Sequence, residues 1–517
     1  FAASGSGEAN IASQQGRWTV EGGANYFLES QREVSLTDEV FDIGEYQSRA
    51  RYDGDGWGAG GSVGHQSLGY NSLIMSNFYR RGLSLRGDVG EGALTAQGFA
   101  LAAASQVGAE DPFGLAEQSG EVLGGGLSAE PFDLGDDQFT VTALYYDGEE
   151  GSESYGAIQN TQALGEGDGW SLGFDSYWFD RRLNLSGEIA RTNFDADGSG
   201  GLVGEEEGDG YALGGRYELI RDAEWAGEWV NLGLTGGWER LGSFFQSVAN
   251  PGLAADRDSF YGGADLLWGG LFSSLQLRQD DNNVDDLPGL PSDRARSISL
   301  DGQYSFTIER ENPDDRAWLG SPYLLFGALY AEADRLKTPA AYMGPDTDNS
   351  TLSYYLGVGS SYESWSWQIM HQRSDFDDGA SQDTDYRSSL TDLSLQWYVN
   401  RDLSVSLGSQ FTENENPDLG TRTYDFNGLF RLDAVLIPEK LDLELDYNMN
   451  LRSGSGDTPD RHLISGELGW TLRPADVNQV GVALALRGSM EWNGGSGNDE
   501  EVYESFAVLR FLAPLSN

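Results

Sequence analysis

The chain has 517 residues, a formal charge of −51, 71 glycines, 14 prolines and no cysteine. The missing cysteine excludes disulfides, thiolate catalysis, cysteine-attached haem and cysteine-based metal sites. So acidic a balance argues against nucleic acid as a partner, because phosphate neutralisation needs a basic face.

High charge alone would suggest disorder, but an aromatic share of 12% and regular alternation of apolar residues oppose it. No break in composition divides the chain into domains. No apolar run reaches the roughly 20 residues of a transmembrane helix. The nearest approach, Ala93 to Ala109, is diluted by Thr95, Gln97, Ser105 and Gln106. No signal peptide opens the sequence, so the numbering is expected to begin at or after a cleavage site.

Taken in order, residues 1–16 are small, polar and aperiodic, and are expected to form a mobile N-terminal segment. Strand candidates follow at Trp18–Leu28, Glu45–Tyr52, Trp57–Gln66, Leu73–Asp88, Ala93–Ala104 and Val122–Ala129. The next are Phe139–Tyr146, Trp170–Phe179, Leu183–Asn193, Tyr211–Ile220, Val230–Glu239 and Phe260–Trp268. The second half adds Leu271–Arg278, Ile298–Ile308, Tyr323–Ala333, Leu352–Tyr362, Trp365–Arg373 and Ser389–Tyr398. The last are Leu403–Phe411, Tyr424–Ala434, Leu441–Leu451, Ile464–Leu472, Val480–Trp492 and Tyr503–Leu512. These make about 24 strands, and single-chain bacterial barrels have even numbers.

The pattern is clearest late in the chain. Leu441, Leu443, Leu445, Tyr447, Met449 and Leu451 alternate with Asp442, Glu444, Asp446, Asn448 and Asn450. Period-2 alternation gives one apolar and one polar face, whereas a helix would place Leu443 opposite Leu441 and Leu445. Each run lasts about ten residues or more, the length a tilted strand needs to cross a bilayer. Trp470 and Trp492 stand near strand ends, where an interfacial girdle places aromatics.

The connections also alternate. Asp53-Gly54-Asp55, Asp180-Arg181, Gly269-Gly270 and Asn400-Arg401 are tight; Glu149 to Gly169, Gly242 to Asp258 and Leu336 to Asn349 are long and acidic. Two tight-side connections, around Asp222 and from Arg310 to Gly320, are longer than this rule. At the C-terminal end, Tyr503, Ser505, Ala507, Leu509 and Phe511 share a face.

This combination resembles the Gram-negative outer-membrane β-barrel proteins of porin type, whose last strand alternates and ends on an aromatic. Six further residues, Leu512 to Asn517, depart from that ending. The resemblance implies an all-β fold: a single transmembrane antiparallel β-barrel with short periplasmic turns and long acidic extracellular loops. The barrel would span 17–512, with a C-terminal tail at 513–517. It implies the cell outer membrane, both termini periplasmic, and contact with outer-membrane lipid and lipopolysaccharide.

Functional expectations follow from the wall. Asp442, Glu444, Asp446, Glu467 and Glu491, with Arg216, Arg278, Arg431 and Arg487, are expected to line the lumen. A barrel this wide is not filled by its own side chains. The leading expectation is a porin-like channel passing ions or small hydrophilic solutes through a wide acidic lumen. The alternative is a scaffold or conduit barrel around a partner: a secreted polymer, a periplasmic plug or an electron-carrier protein. Either in-turned loops narrow the pore or something else occupies it.

No catalytic residue is singled out, and an enzyme is not expected. His65, His371 and His462 are scattered, and no third partner stands beside His65 and Ser67. No cofactor is required, but residues 195–206 match a 12-residue calcium loop, with Asp195, Asp197, Ser199 and Glu206 as oxygen ligands. The competing reading is a solvated acidic loop. Glycine runs at Gly58–Gly64 and Val122–Leu127 lack the context of phosphate loops and are expected to relieve curvature or crowding.

Overall fold

The computed structural model describes residues 4–29, 40–90, 92–104, 111–115, 120–132, 135, 137–150, 165–198, 204–307, 320–340, 342–380, 384–454, 460–474, 481–494 and 500–512. The first strands are β1 (Ser4–Gln15), β2 (Trp18–Glu29), β3 (Phe41–Asp53), β4 (Trp57–Ser67), β5 (Tyr79–Val89) and β6 (Leu94–Ala102). Next come β7 (Glu121–Ala129), β8 (Gln138–Glu149), β9 (Glu166–Trp178), β10 (Leu183–Asp195), β11 (Glu206–Trp225) and β12 (Glu228–Leu241). Then follow β13 (Arg257–Trp268), β14 (Leu271–Asp281), β15 (Ser292–Ser305), β16 (Ser321–Lys337), β17 (Asp348–Ser361) and β18 (Trp365–Asp378). The series ends with β19 (Tyr386–Asn400), β20 (Leu403–Asn416), β21 (Thr421–Ile437), β22 (Leu441–Gly454), β23 (Asp460–Arg473), β24 (Gly481–Gly494) and β25 (Glu500–Leu512).

Each strand pairs antiparallel with its chain neighbour, so the fold is the all-β transmembrane barrel that the alternation implies. Among the described residues no ladder joins β1 to β25, which form the two edges of the sheet. Strand β1 corrects the expectation of a mobile segment over residues 1–16. Ser4–Gln15 pairs with β2 along its whole length, and backbone pairing at a sheet edge needs no apolar pattern. Consequently the start of β1 and the end of β25 lie at opposite ends of the barrel rather than at one end.

The tight turns at 16–17, 54–56, 179–182, 226–227, 269–270, 362–364 and 401–402 share one end. Connections 68–78, 242–256, 282–291 and 338–347 stand at the other. The apparent long connection around Asp222 is not a loop. β11 continues to Trp225, with register shifts at Glu218/Ile220 and Ile220/Ala223 and Asp222 at a φ of 50°. A β-bulge absorbs the extra residues. Part of the Arg310–Gly320 connection lies outside the described residues, as do Ser199 and 513–517.

Cross-strand partners share a face, which fixes the two surfaces of the wall. Leu407 stands opposite Leu395 and Phe430, Leu443 opposite Leu468, and Leu484 opposite Trp470. This outer face keeps its large apolar side chains exposed, as lipid requires. Exposed tryptophans Trp18, Trp57, Trp229, Trp365 and Trp397 flank the tight turns, and Trp225 stacks on Trp268 with centroids 4.9 Å apart. They form an interfacial belt. Toward the other end, His462 stacks on Trp492 at 4.9 Å and on Tyr447.

Candidate functional site

Residues 68–78 were expected to begin a strand at Leu73, but β5 starts only at Tyr79. The segment before it turns into the lumen. Gly69, at a φ of +77°, and Asn77, at 51°, bracket the turn in the left-handed region that glycine and asparagine tolerate best. Between them Asn71 and Ser76 form an isolated bridge, and Ser72 and Met75 exchange backbone hydrogen bonds at 2.9 and 3.2 Å. This small hairpin carries Ile74 and Met75 at its tip. Both are buried.

Connection 242–256 turns in from the same end and meets it. The Ser247 hydroxyl donates to the Ile74 carbonyl at 2.6 Å, and the Asn250 amide donates to the Leu73 carbonyl at 2.9 Å. From the wall, Glu188 on β10 accepts the Leu73 N–H through both oxygens at 3.1 Å and also accepts the Ser72 hydroxyl. Ile74 N–H donates to Ser72 Oγ at 3.2 Å. The four backbone groups of Leu73 and Ile74 are therefore all satisfied, which permits burial without water.

Apolar side chains complete the contact. Phe99, Leu101, Val122, Leu144, Tyr146, Phe194 and Leu241 project inward from β6–β12 and pack with Leu73, Ile74, Met75, Phe245 and Val248 in one cluster. Ile74, Leu101, Val122, Tyr146 and Leu241 have no solvent exposure. Glycines on the inner face make room. A Cβ on Gly210 would meet the Phe245 ring at 2.8 Å, and one on Gly126 would collide with the Tyr70 hydroxyl. Gly126 in the glycine run of β7 thus seats a ring rather than a phosphate.

Beneath the in-turned segments lies a cavity of about 900 Å³ whose lining runs from Ser72 and Asn250 to Gly92 and Glu130 near the tight turns. Thr95, Gln97, Thr140, Thr142, Ser171 and Asp175 give it polar walls. Its acids are engaged: Glu188 holds the in-turned segment, Glu239 pairs with Arg257, Asp175 accepts the Asn184 amide at 3.4 Å and Glu130 accepts the Gln138 amide at 2.7 Å. Burial pushes the Tyr70 phenol up, opposed by the nearby Arg86 charge.

Ala212 is opposite Glu188, so Arg216, four residues on, shares the inner face. Following partners from Arg216 through Thr235, Gly263, Gln276, Ser299, Leu329 and Ser353 carries that face around the wall. It reaches Ser374, Ser388, Asn414 and Thr423, and from there Arg431 and its partner Asp446. Arg278, Asp442, Glu444, Glu467, Arg487 and Glu491 fall on the same face by alternation. The inner acids are largely matched by arginines: Arg431 lies 2.7 Å from Glu444, Arg461 2.8 Å from Glu491 and Arg278 2.6 Å from Asp280, and Arg487 pairs with Glu467. Asp442 lies against Gly469, and Arg216 beside Gly233.

The histidines stand apart. His65 accepts the Tyr46 N–H at 3.2 Å and is buried, His371 meets the Thr391 hydroxyl at 3.0 Å, and His462 meets the Tyr447 hydroxyl at 2.9 Å. In the calcium-like stretch, Asp197 N–H donates to Asp195 Oδ1 at 3.2 Å, while Glu206 opens β11 opposite Phe194. Among the described residues no group of three or more His, Asp or Glu is placed to hold a metal ion.

No family model matches the chain, and no curated protein matches it. Among solved structures it is similar to the siderophore receptor PirA from Pseudomonas aeruginosa at 12% identity and a TM-score of 0.38, covering 98% of this chain and 80% of that one. The ferric enterobactin receptor PfeA from the same organism, in complex with enterobactin, gives 10% identity and a TM-score of 0.40, covering 98% and 81%. BauA, the ferric preacinetobactin receptor from Acinetobacter baumannii, gives 10% and 0.35, covering 98% and 78%. Those proteins are receptors and not porins, and the expectation of a passive porin-like channel is not upheld. In this chain the in-turned segments pack against the inner wall between β4 and β13.

Proposed function

We propose that this chain is a solute-selective outer-membrane transport barrel, in which residues 68–78 and 242–256 cap a polar binding chamber inside the wall. The single observation behind this reading is the cavity of about 900 Å³ under a segment whose buried backbone groups are all bonded. A cavity of this size suits a small hydrophilic molecule, with convergent hydroxyl and amide groups to orient it. Its cap is held by side-chain hydrogen bonds and by the apolar cluster, and left-handed residues at Gly69 and Asn77 bracket it, so it can move only by giving up that packing but without unpairing a strand.

Proteoliposomes test it with labelled glucose, glutamate, citrate and spermidine. For at least one probe, uptake should saturate with concentration and be competed by the unlabelled compound. Replacing residues 69–77 by a short glycine–serine linker should convert that uptake into a non-saturating leak. Linear, uncompeted uptake of every probe by the intact chain would overturn the proposal.

A further inference from the structure

Arginines on the inner wall mostly have a carboxylate within reach, as Arg51 has Asp88 at 3.0 Å and Arg431 has Glu444 at 2.7 Å. Arg86 on β5 has none among the described residues, although it lines the capped chamber and its side chain is exposed there. Its surroundings explain why no internal partner reaches it. Gln97 stands opposite on β6 and Gly60 opposite on β4. Asp88, two residues along the same face, is already bound to Arg51. The chamber acids Glu188, Glu239, Asp175 and Glu130 are bonded to Leu73, Arg257, Asn184 and Gln138.

On the chamber side the guanidinium is flanked by neutral hydrogen-bonding groups, and on its other side it shares a pocket with Arg51, Asp53 and Asp88, which are ion-paired with one another. Thr95 and Gln97 line the same cavity from β6, and Ser128 and Thr142 bond each other at 2.9 Å across β7 and β8. Tyr70 hangs over Gly126 from the in-turned segment, close enough to feel the Arg86 charge. A fixed fork of N–H donors flanked by hydroxyl and amide groups matches the planar oxygens of a carboxylate or the tetrahedral oxygens of a phosphate. Arg86 thus reaches into the cavity with no ion pair of its own among the described residues, while Asp53 and Asp88 beside it are both held by Arg51.

We infer that the chamber is an anion subsite, in which Arg86 receives the carboxylate or phosphate group of a hydrophilic solute. This rests on the chamber proposed above, and deepens it by naming the charge of what enters. Neutral solutes fill the cavity without answering the guanidinium.

Isothermal titration of the purified full chain in detergent at low ionic strength tests the subsite, with citrate, inorganic phosphate, raffinose and spermidine as probes. Citrate or phosphate should bind more tightly than raffinose or spermidine. Arg86→Gln should weaken that binding about tenfold or more, the worth of a charge-assisted hydrogen bond. Arg86→Lys should retain part of it, and Arg431→Gln, outside the chamber, should leave it unchanged. Should Arg86→Gln fail to fold, Gln97→Glu supplies an internal acid opposite Arg86 and should produce the same loss. Equal binding of raffinose, no binding of either anion, or anion binding indifferent to Arg86→Gln and Gln97→Glu would overturn the inference. Because binding is read without flux, its failure leaves saturable uptake to be judged separately.

Discussion

The arc of wall from β4 to β13 and the arc from β14 to β25 are built from the same alternating strands but enclose different things. Among the described residues, fully buried apolar side chains run from Leu68 to Ala249, and beyond them only Ala485 is as deeply buried. The first arc wraps a core made by the chain's own connections. The second presents a polar inner face, where Asn427 donates to Gln410 at 3.4 Å, Asn450 donates to Asn427, and arginines pair with acids. A strand pattern of period 2 sets the fold in both arcs. What lies against its inner side decides whether that arc can recognise a solute. Packing with one well-defined arrangement fixes the positions of the groups around a cavity, whereas a wet wall leaves them free to rearrange with the ions that pass.

The sharpest way to break this contrast is to remove a large side chain from each inner face. Phe245 is 1% exposed and rests on Gly208 and Gly210. Phe245→Ala should cost about 3–5 kcal/mol of the packing of the first arc, through lost burial and the cavity left behind. Leu429, on the inner face of β21, is 43% exposed. Leu429→Ala should cost less than about 1 kcal/mol, since little area returns to water. Urea titration of the folded barrel in micelles, combined with protease cleavage within 242–256, reads both. Similar costs for the two substitutions would mean that the first arc has no core of its own.

A finer cut separates the cap from the wall. Glu188 accepts from the Leu73 N–H and the Ser72 hydroxyl while largely shielded from solvent. Glu188→Ala removes hydrogen bonds to a charged group and leaves a buried N–H without its acceptor, about 1.5–3 kcal/mol. Because the loss falls on the cap, cleavage between residues 68 and 78 should quicken while the global unfolding midpoint of the barrel moves little. A matched fall in the global midpoint would make the segment an integral part of the barrel and not a separable cap.

The sequence showed the strands well because every strand of the second arc meets lipid on one side and water on the other. Leu441–Leu451 alternates without a fault, and its register follows. The first arc was less legible for the same physical reason. β6 and β8 are apolar on both faces, as Phe99 and Leu101 beside Leu94 and Ala100, or Leu144 and Tyr146 beside Ala143 and Tyr145, make plain. In β6 that two-sided apolarity is what makes Ala93 to Ala109 the nearest approach to a helix-length apolar run. It is the mark of a covered inner face, and together with the apolar Leu73-Ile74-Met75 it was the available signal for the cap. Arg86 was not legible at all. Its distinction is the lack of an ion pair among the described residues, which depends on register and on where Asp88, Glu188 and Glu239 spend their hydrogen bonds. The extra strand β1 was missed because an edge pairs through backbone groups whatever its side chains are.

The smallest expected effect lies in the second arc and is the most specific to it. Arg487 pairs with Glu467 across β23 and β24, and the arginine side chain is 49% exposed. An ion pair open to water gains little Coulomb energy and holds two long side chains in one geometry, so its worth is about 0–1 kcal/mol. Arg487→Gln should therefore leave the urea midpoint nearly unchanged. Any small loss should vanish as salt shortens the screening length to a few ångströms. The substitution also removes a positive charge from a wall that holds Asp442, Glu444 and Asp446 on the inner face of β22, two strands away. If Arg487→Gln instead destabilised the barrel as much as Phe245→Ala, the second arc would have to be a packed interior. The contrast between a packed arc and a solvated one would then be lost.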